Sequence, residues 1–149
     1  MTETAAAREI TITRVYDAPR ELVWRAWTEP ERLARWWGPP GWSTEPAGVR
    51  MDVRAGGVFR VTSVSAQDGS EMTVEGVYRE VDEPGRLVLE EDGEGAWHDG
   101  AVSELTLTDL GDGRTEMAFR TSIRTTEEMA GHAQAGLGAS FDRLAEHLA

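Results

Sequence analysis

Side chains that could carry out acid-base chemistry are few and widely spaced in this sequence. Glu75, Tyr78, His98 and His132 are of types that would allow proton transfer inside a cavity, and each also suits an ordinary strand or loop position. The histidines, which include His147 near the C-terminus, match no zinc-ligand spacing. The residue types therefore leave proton-transfer chemistry open and assign no catalytic residue.

Motifs for nucleophilic, nucleotide and metal chemistry are absent from the sequence. The chain has no Cys, which excludes disulfides, thiol nucleophiles and thiolate metal sites. No Gly-x-Ser-x-Gly elbow, Walker loop, dinucleotide fingerprint or His-Glu-x-x-His motif occurs. The acidic run at residues 90–95, with Asp99 nearby, lacks the ligand spacing of an EF-hand and is typical of a solvated turn. We therefore predict no cofactor and no metal, and the sequence favours a non-enzymatic protein.

Aromatic area is concentrated between Arg35 and Trp42. This stretch contains Trp36, Trp37 and Trp42, three of the six tryptophans in the chain. The Gly and Pro residues between them make a loop too short to bury all three rings, so at least one is expected at the rim of a pocket. The stretch is therefore the first candidate for a binding site.

The composition limits the classes of partner. A formal net charge of -12 over 149 residues repels phosphate backbones and anionic lipid headgroups, so neither nucleic acid nor a membrane surface is an expected partner. The first eight residues lack the regions of a signal peptide, and no later run reaches the ~18 apolar residues of a membrane span. We expect a cytoplasmic monomer or homodimer, with one domain over residues 1–149 and a flexible segment at residues 1–8.

Strands and two short helices are predicted to position these side chains. Alternating β-branched residues predict a first strand at residues 9–17, and apolar residues at helical spacing predict helices up to Thr28 and over residues 31–37. Trp24 and Trp27 lie on the first helix and are expected in the core. Turn signals then separate six more strands, for which a meander is the simplest topology. These strands are predicted at residues 48–54, 58–64, 72–81, 86–91, 102–110 and 115–123.

A long helix is predicted at the C-terminal end of the chain. Thr125 and Glu128 have the spacing of a capping box, and an apolar stripe follows from Met129 to Leu148. Glycines and alanines dominate residues 131–139, so the first half of the helix is intrinsically weak. Small side chains facing a sheet would leave volume for a ligand and let this half act as a lid, although close packing against the sheet would need them equally.

The order of these elements, together with five phrases, resembles the START-like (SRPBCC) superfamily. The branch is similar to the C-terminal domain of Aha1, the activator of Hsp90 ATPase. The phrases are YDAPRELVW at 16–24, ERLARWWGP at 31–39, MDVRAGG at 51–57, EGVYRE at 75–80 and FDRLAEHL at 141–148. The resemblance implies an α+β helix-grip fold, in which a curved seven-stranded antiparallel sheet wraps around the long C-terminal helix. It also implies a pocket between sheet and helix that many relatives use for apolar molecules.

We therefore predict a binding or carrier protein for an apolar small molecule, including an aromatic one, held between the sheet and the C-terminal helix. One alternative is a cyclase-like or hydrolytic enzyme that acts in the same cavity. Another is an Hsp90-type chaperone interaction module that uses the outer face of the sheet or the Pro39-Pro40 loop. The predicted ligand-binding residues are Trp36, Trp37, Trp42, Phe59, Val61, Met72, Val74, Tyr78, Leu89, Trp97, Met129, Ala133, Leu137 and Phe141.

Overall fold

The strands and helices follow one another in the predicted order. The computed structural model of the chain describes residues 5–92 and 100–148. Within those residues the strands are β1 (Ala6–Tyr16), β2 (Trp42–Met51), β3 (Val58–Ser65), β4 (Glu71–Asp82), β5 (Arg86–Glu91), β6 (Ala101–Gly111) and β7 (Arg114–Thr125). The helices are α1 (Arg20–Thr28), α2 (Pro30–Leu33) and α3 (Glu127–Leu148). Two short helices therefore follow the first strand, and a long helix follows the last.

The strands form one antiparallel sheet in the order β1-β7-β6-β5-β4-β3-β2. From β2 to β7 each strand pairs with the next in sequence, which confirms the predicted meander for this part of the chain. β1 instead pairs with β7 along its whole length, from Ala6 opposite Thr125 to Tyr16 opposite Thr115. Because β1 and β2 lie at opposite edges, α1 and α2 have to span the width of the sheet to connect them.

Two element boundaries near the tryptophan stretch differ from the predictions. The strand predicted over residues 48–54 already begins at Trp42, and its register against β3 shifts between Thr44 and Val49. This irregularity interrupts the alternation from which a strand is recognised. The helix predicted over residues 31–37 ends at Leu33, and Trp36 lies in the turn that follows.

The N-terminus of α3 also differs from its predicted form. The backbone N–H of Met129 donates to Oγ1 of Thr126 at 3.2 Å, so Thr126 is the capping residue. The predicted capping box between Thr125 and Glu128 is therefore wrong. Thr125 is still paired with Ala6 in the sheet, which excludes it from the helix terminus.

Four aromatic rings form the centre of the core, and we call them the ring cluster: Trp27, Trp36, Phe119 and Phe141. Trp27 lies with its ring centroid 4.8 Å from that of Trp36 and 5.8 Å from that of Phe119. Phe141 contacts Phe119 at 5.4 Å between centroids, and all four side chains are buried. The indole N–H of Trp36 donates to the carbonyl of Ala26 at 2.9 Å. The cluster therefore joins α1, the turn after α2, the sheet and α3.

The second half of α3 is attached on both sides. The hydroxyl of Tyr16 in β1 donates to the carbonyl of Phe141 at 3.1 Å, and burial raises the pKa of Tyr16, which keeps this donor protonated. On the other side, Ser140 and Arg143 both donate to the carbonyl of Gly38, the former at 2.8 Å. These bonds hold the helix to β1 and to the loop between α2 and β2.

The outer face of the sheet carries ion pairs between neighbouring strands. Arg79 and Glu90 approach to 2.7 Å between β4 and β5, and Arg120 and Glu9 to 2.8 Å between β7 and β1. Exposed pairs of this kind contribute little to stability, about 0–1 kcal/mol each, and mark a solvated face. In the part of the chain that the structure describes, no helix is both long enough and apolar enough to cross a membrane.

Replacing Phe141 by Ala should lower the free energy of unfolding by about 3–5 kcal/mol, because the side chain is fully buried within the ring cluster. Leu110→Ala is the matched control, since Leu110 is 40% exposed and should change stability by less than about 1 kcal/mol. Urea unfolding followed by tryptophan fluorescence measures both. Equal losses for the two variants would contradict the assignment of the ring cluster as the centre of the core.

Candidate functional site

A cavity of about 430 Å³ lies between the concave face of the sheet and the first half of α3. It is partly open to solvent, and its wall is mainly apolar. Small-molecule sites have volumes of roughly 300–1,000 Å³, so the space is large enough for a two-ring or three-ring compound. This cavity is the candidate functional site.

Pairing between strands sets the floor of the cavity. Side chains alternate between the two faces of a strand, so residues opposite each other in neighbouring strands point to the same side. Leu89 in β5 is opposite Ser103 in β6, and Ser103 is opposite Thr121 in β7. Phe119 and Ile123, two residues to either side of Thr121, also line the cavity. The part of the floor formed by β6 and β7 therefore has two hydroxyl groups among apolar side chains.

The first half of α3 forms the roof. Met129, Ala133, Gly136 and Leu137 recur at helical spacing and line the cavity. A Cβ atom on Gly136 would lie 3.3 Å from Cβ of Pro39, so the glycine permits the helix to approach the loop closely. None of the side chains at residues 127–139 is buried, whereas α3 buries side chains from Ser140 onward. The roof is therefore only half-buried, with Ala133 and Leu137 packed against the core beside the cavity.

Tryptophan rings form one end of the cavity. Trp37 and Trp42 are half-buried and line it, as does the edge of the ring cluster at Trp27 and Trp36. Trp36 is fully buried, so it is both a core residue and part of the wall. Trp24 and Trp27 were expected in the core, and both are buried there, with Trp27 reaching the cavity as well. Core tryptophans and cavity-wall tryptophans therefore do not fall into two separate segments of the chain, since Trp27 and Trp36 belong to both groups.

Polar groups occupy the floor, the end and the rim of the cavity. Ser103 donates to Thr121 at 2.9 Å between hydroxyl oxygens. Ser140 is satisfied by its bond to the carbonyl of Gly38. Glu91 and His132 also line the cavity, and His132 is exposed. Across residues 5–92 and 100–148, no three His, Asp or Glu residues are grouped so that they could hold a metal ion.

Most of the predicted ligand-binding residues line the cavity, and the others lie in the core or outside the described residues. Phe59 and Tyr78 contact each other at 5.6 Å between ring centroids and are packed in the core beside the cavity, where Val61 is also buried. Burial raises the pKa of Tyr78 well above its usual range. Trp97 and His98 lie outside the described residues. Those that line the cavity are Trp36, Trp37, Trp42, Met72, Val74, Leu89, Met129, Ala133 and Leu137.

Phe141 and the wall residues on β6 and β7 show where the prediction of the site departed from the structure. Phe141 was placed on the wall but lies behind it, in the ring cluster, because α3 is attached to the sheet at that point. Ser103, Phe119 and Thr121 were not predicted, although they lie on the same face of their strands as the buried Leu105. Alternation along these two strands was the signal that could have found them.

The family model for Activator of Hsp90 ATPase homolog 1-like protein matches residues 17–149. A protein of known structure from Chromobacterium violaceum is 24% identical with a TM-score of 0.82, over 94% of this chain and 96% of that one. One from Nitrosomonas europaea is 27% identical with a TM-score of 0.77, over 94% and 93%. An AHSA1-like protein from Aeromonas hydrophila is 24% identical with a TM-score of 0.74, over 92% and 92%. No curated protein matches the chain significantly. The predicted helix-grip fold is confirmed.

The two halves of α3 should respond differently to the same truncation. Leu144→Ala should lower the free energy of unfolding by about 3 kcal/mol or more, because Leu144 is fully buried. Leu137→Ala should lower it by only about 1 kcal/mol, because Leu137 is half-buried and borders space that is already open. Denaturant titration of both variants provides the comparison. A loss at Leu137 as large as that at Leu144 would mean that the first half of the helix is packed as tightly as the second.

Proposed function

Since the chain belongs to the family of Activator of Hsp90 ATPase homolog 1-like proteins, we propose that it is a binding or carrier protein for an apolar small molecule. The observation that carries this proposal is the cavity of about 430 Å³ with a mainly apolar wall. An apolar ligand that enters a space of this size removes apolar wall area from water and gains packing contacts with the wall.

The types of side chain in the wall favour a flat, aromatic ligand. Trp37 and Trp42 offer ring faces and edges for stacking, which is worth about 0.5–1.5 kcal/mol per pair beyond the area buried. Met72 and Met129 add flexible thioethers, which adapt to ligands of different outline. A wall of this composition supports binding of a class of aromatic compounds and not of one shape alone.

The roof provides a route by which such a ligand enters. Gly131, Gly136 and Gly138 each cost about 1 kcal/mol relative to Ala within a helix, so the first half of α3 is easily opened. The bonds to Gly38 and from Tyr16 hold the second half in place. Local opening of the roof therefore exposes the cavity while the ring cluster stays packed.

Proton-transfer chemistry has less support from the positions of the candidate groups. Glu75 lies on the outer face, where it pairs with Arg60 at 3.2 Å, and Tyr78 is in the core. His132 is exposed and Glu91 half-buried on the cavity wall, and the cyclase-like or hydrolytic alternative rests on these two groups. A buried, desolvated acid or base is what such chemistry usually requires. Binding is therefore the better supported function.

The alternative of an Hsp90-type interaction module has the family in its favour and the surface against it. The outer face of the sheet, which is one of the two surfaces predicted for this module beside the Pro39-Pro40 loop, carries solvated ion pairs such as Arg79 with Glu90. Interfaces instead have a core depleted of charged residues and enriched in aromatic ones. In this chain the tryptophans near the surface, Trp37 and Trp42, are directed to the cavity.

The binding proposal predicts that the neutral fluorophore N-phenyl-1-naphthylamine binds the protein and becomes brighter on entering the cavity. Ala133→Trp should weaken this binding at least about tenfold, because the larger ring fills the space that the ligand would occupy. Ala135→Trp is the matched control, since it makes the same substitution on the exposed side of α3 and should leave the affinity unchanged. Circular dichroism checks that both variants are folded. Equal affinity of the two variants, or no binding by the wild-type protein, would refute the proposal.

A further inference from the structure

Two pairs of hydrogen-bonded hydroxyl groups lie on the concave face of the sheet. They differ in whether the second hydroxyl of the pair donates to an acceptor. In the first pair, Thr44 donates to the carbonyl of Trp37 at 3.1 Å and its oxygen lies 2.8 Å from that of Ser63. A hydroxyl has one proton to donate, so Ser63 must be the donor to Thr44. The chain of bonds therefore runs from Ser63 through Thr44 and ends on a backbone carbonyl.

The second pair ends differently. Ser103 donates to Thr121 at 2.9 Å, and the side chains are 6% and 2% exposed. Within residues 5–92 and 100–148, no acceptor receives the proton of the Thr121 hydroxyl. The proton of the Thr121 hydroxyl is therefore available to a molecule that enters the cavity. Thr121 and Ser103 line the cavity, whereas Thr44 and Ser63 do not.

The surroundings of the second pair are apolar. Ser103 and Thr121 lie in one row across the sheet, with Leu89 on one side and Ile10 on the other. Phe119 precedes Thr121 on the same face. Valine at the position of Thr121 would have nearly the same shape and would avoid the cost of burying a hydroxyl. A hydroxyl at this point offers a hydrogen bond to the cavity that an apolar side chain would not.

We propose that the hydroxyl of Thr121 donates a hydrogen bond to an acceptor atom on the ligand, and that Thr121 thereby determines specificity. This inference rests on the proposed binding function. The ligand class is an apolar, aromatic molecule with one acceptor oxygen, such as a ketone or an ether, and not a pure hydrocarbon. Ser103 and Thr121 lie on the cavity floor beside Leu89, Phe119 and Ile123, so the acceptor oxygen lies against this apolar part of the floor. Ser103 orients the Thr121 hydroxyl by donating to its oxygen, so it is a positioning residue.

Two probes of the same shape test this contact: 2-acetylnaphthalene, which has a carbonyl oxygen, and 2-isopropenylnaphthalene, which has a CH₂ group in its place. The affinity for the ketone divided by the affinity for the alkene should fall about 3- to 10-fold in Thr121→Val, because only the ketone loses a hydrogen bond. Comparing the ratio between proteins cancels the difference in the hydration of the two probes. Thr73→Val is the matched control: it removes a hydroxyl from the outer face, where Thr73 is bonded to Thr62. Its ratio should equal that of the wild-type protein.

A second measurement needs no variant. The carbonyl stretching frequency of 2-acetylnaphthalene labelled with ¹³C at the carbonyl should be lower in the wild-type complex than in an alkane, as expected for an oxygen that accepts a hydrogen bond. If both probes bind but the affinity ratio is unchanged in Thr121→Val, or the frequency equals that in alkane, the inference about Thr121 is overturned and the binding function stands. If the wild-type protein binds neither probe, both proposals fail.

Discussion

Packing of the ring cluster is the constraint on which the other parts of the structure depend. The strand order places β1 and β2 at opposite edges of the sheet, and the chain between them has to cross its width in two short helices. Neither helix is long enough to be stable alone. Trp27 and Trp36 hold the crossing to the sheet through Phe119 and to α3 through Phe141. Edge-to-face and stacked contacts among large rings make this junction specific as well as apolar.

The cavity follows from how α3 is attached. Ser140, Phe141, Leu144 and Leu148 are buried, and polar bonds reach this half of the helix from β1 and from the loop before β2. The preceding turns of the helix carry mainly small side chains, and none of them is fully buried. One firmly attached half and one less buried half suit the proposed binding function, because opening of the roof alone would leave the core packed. The same residues that weaken the helix create the space beneath it.

The sequence predicted the order of elements more accurately than the composition of the wall. The strand at Arg86–Glu91 was predicted to the residue, since turn signals bound it on both sides. The start of β2 at Trp42 was missed because a register shift interrupts its alternation. Periodicity identifies which side chains share a face, but it does not reveal which rows of the sheet the helix covers. For that reason Val61 was assigned to the wall and Thr121 was not, although both lie on the concave face.

Pairing of the first strand with the last has a consequence for how the chain folds. Ala6 is opposite Thr125 and Tyr16 is opposite Thr115, so the longest ladder of the sheet joins residues 99 to 119 positions apart. Closing so large a loop is entropically costly, and folds with high contact order fold slowly. During synthesis β1 has no partner until β7 leaves the ribosome, and α3 follows later still. The meander from β2 to β7 is the part able to assemble first, and the cavity under α3 is among the last features to be completed.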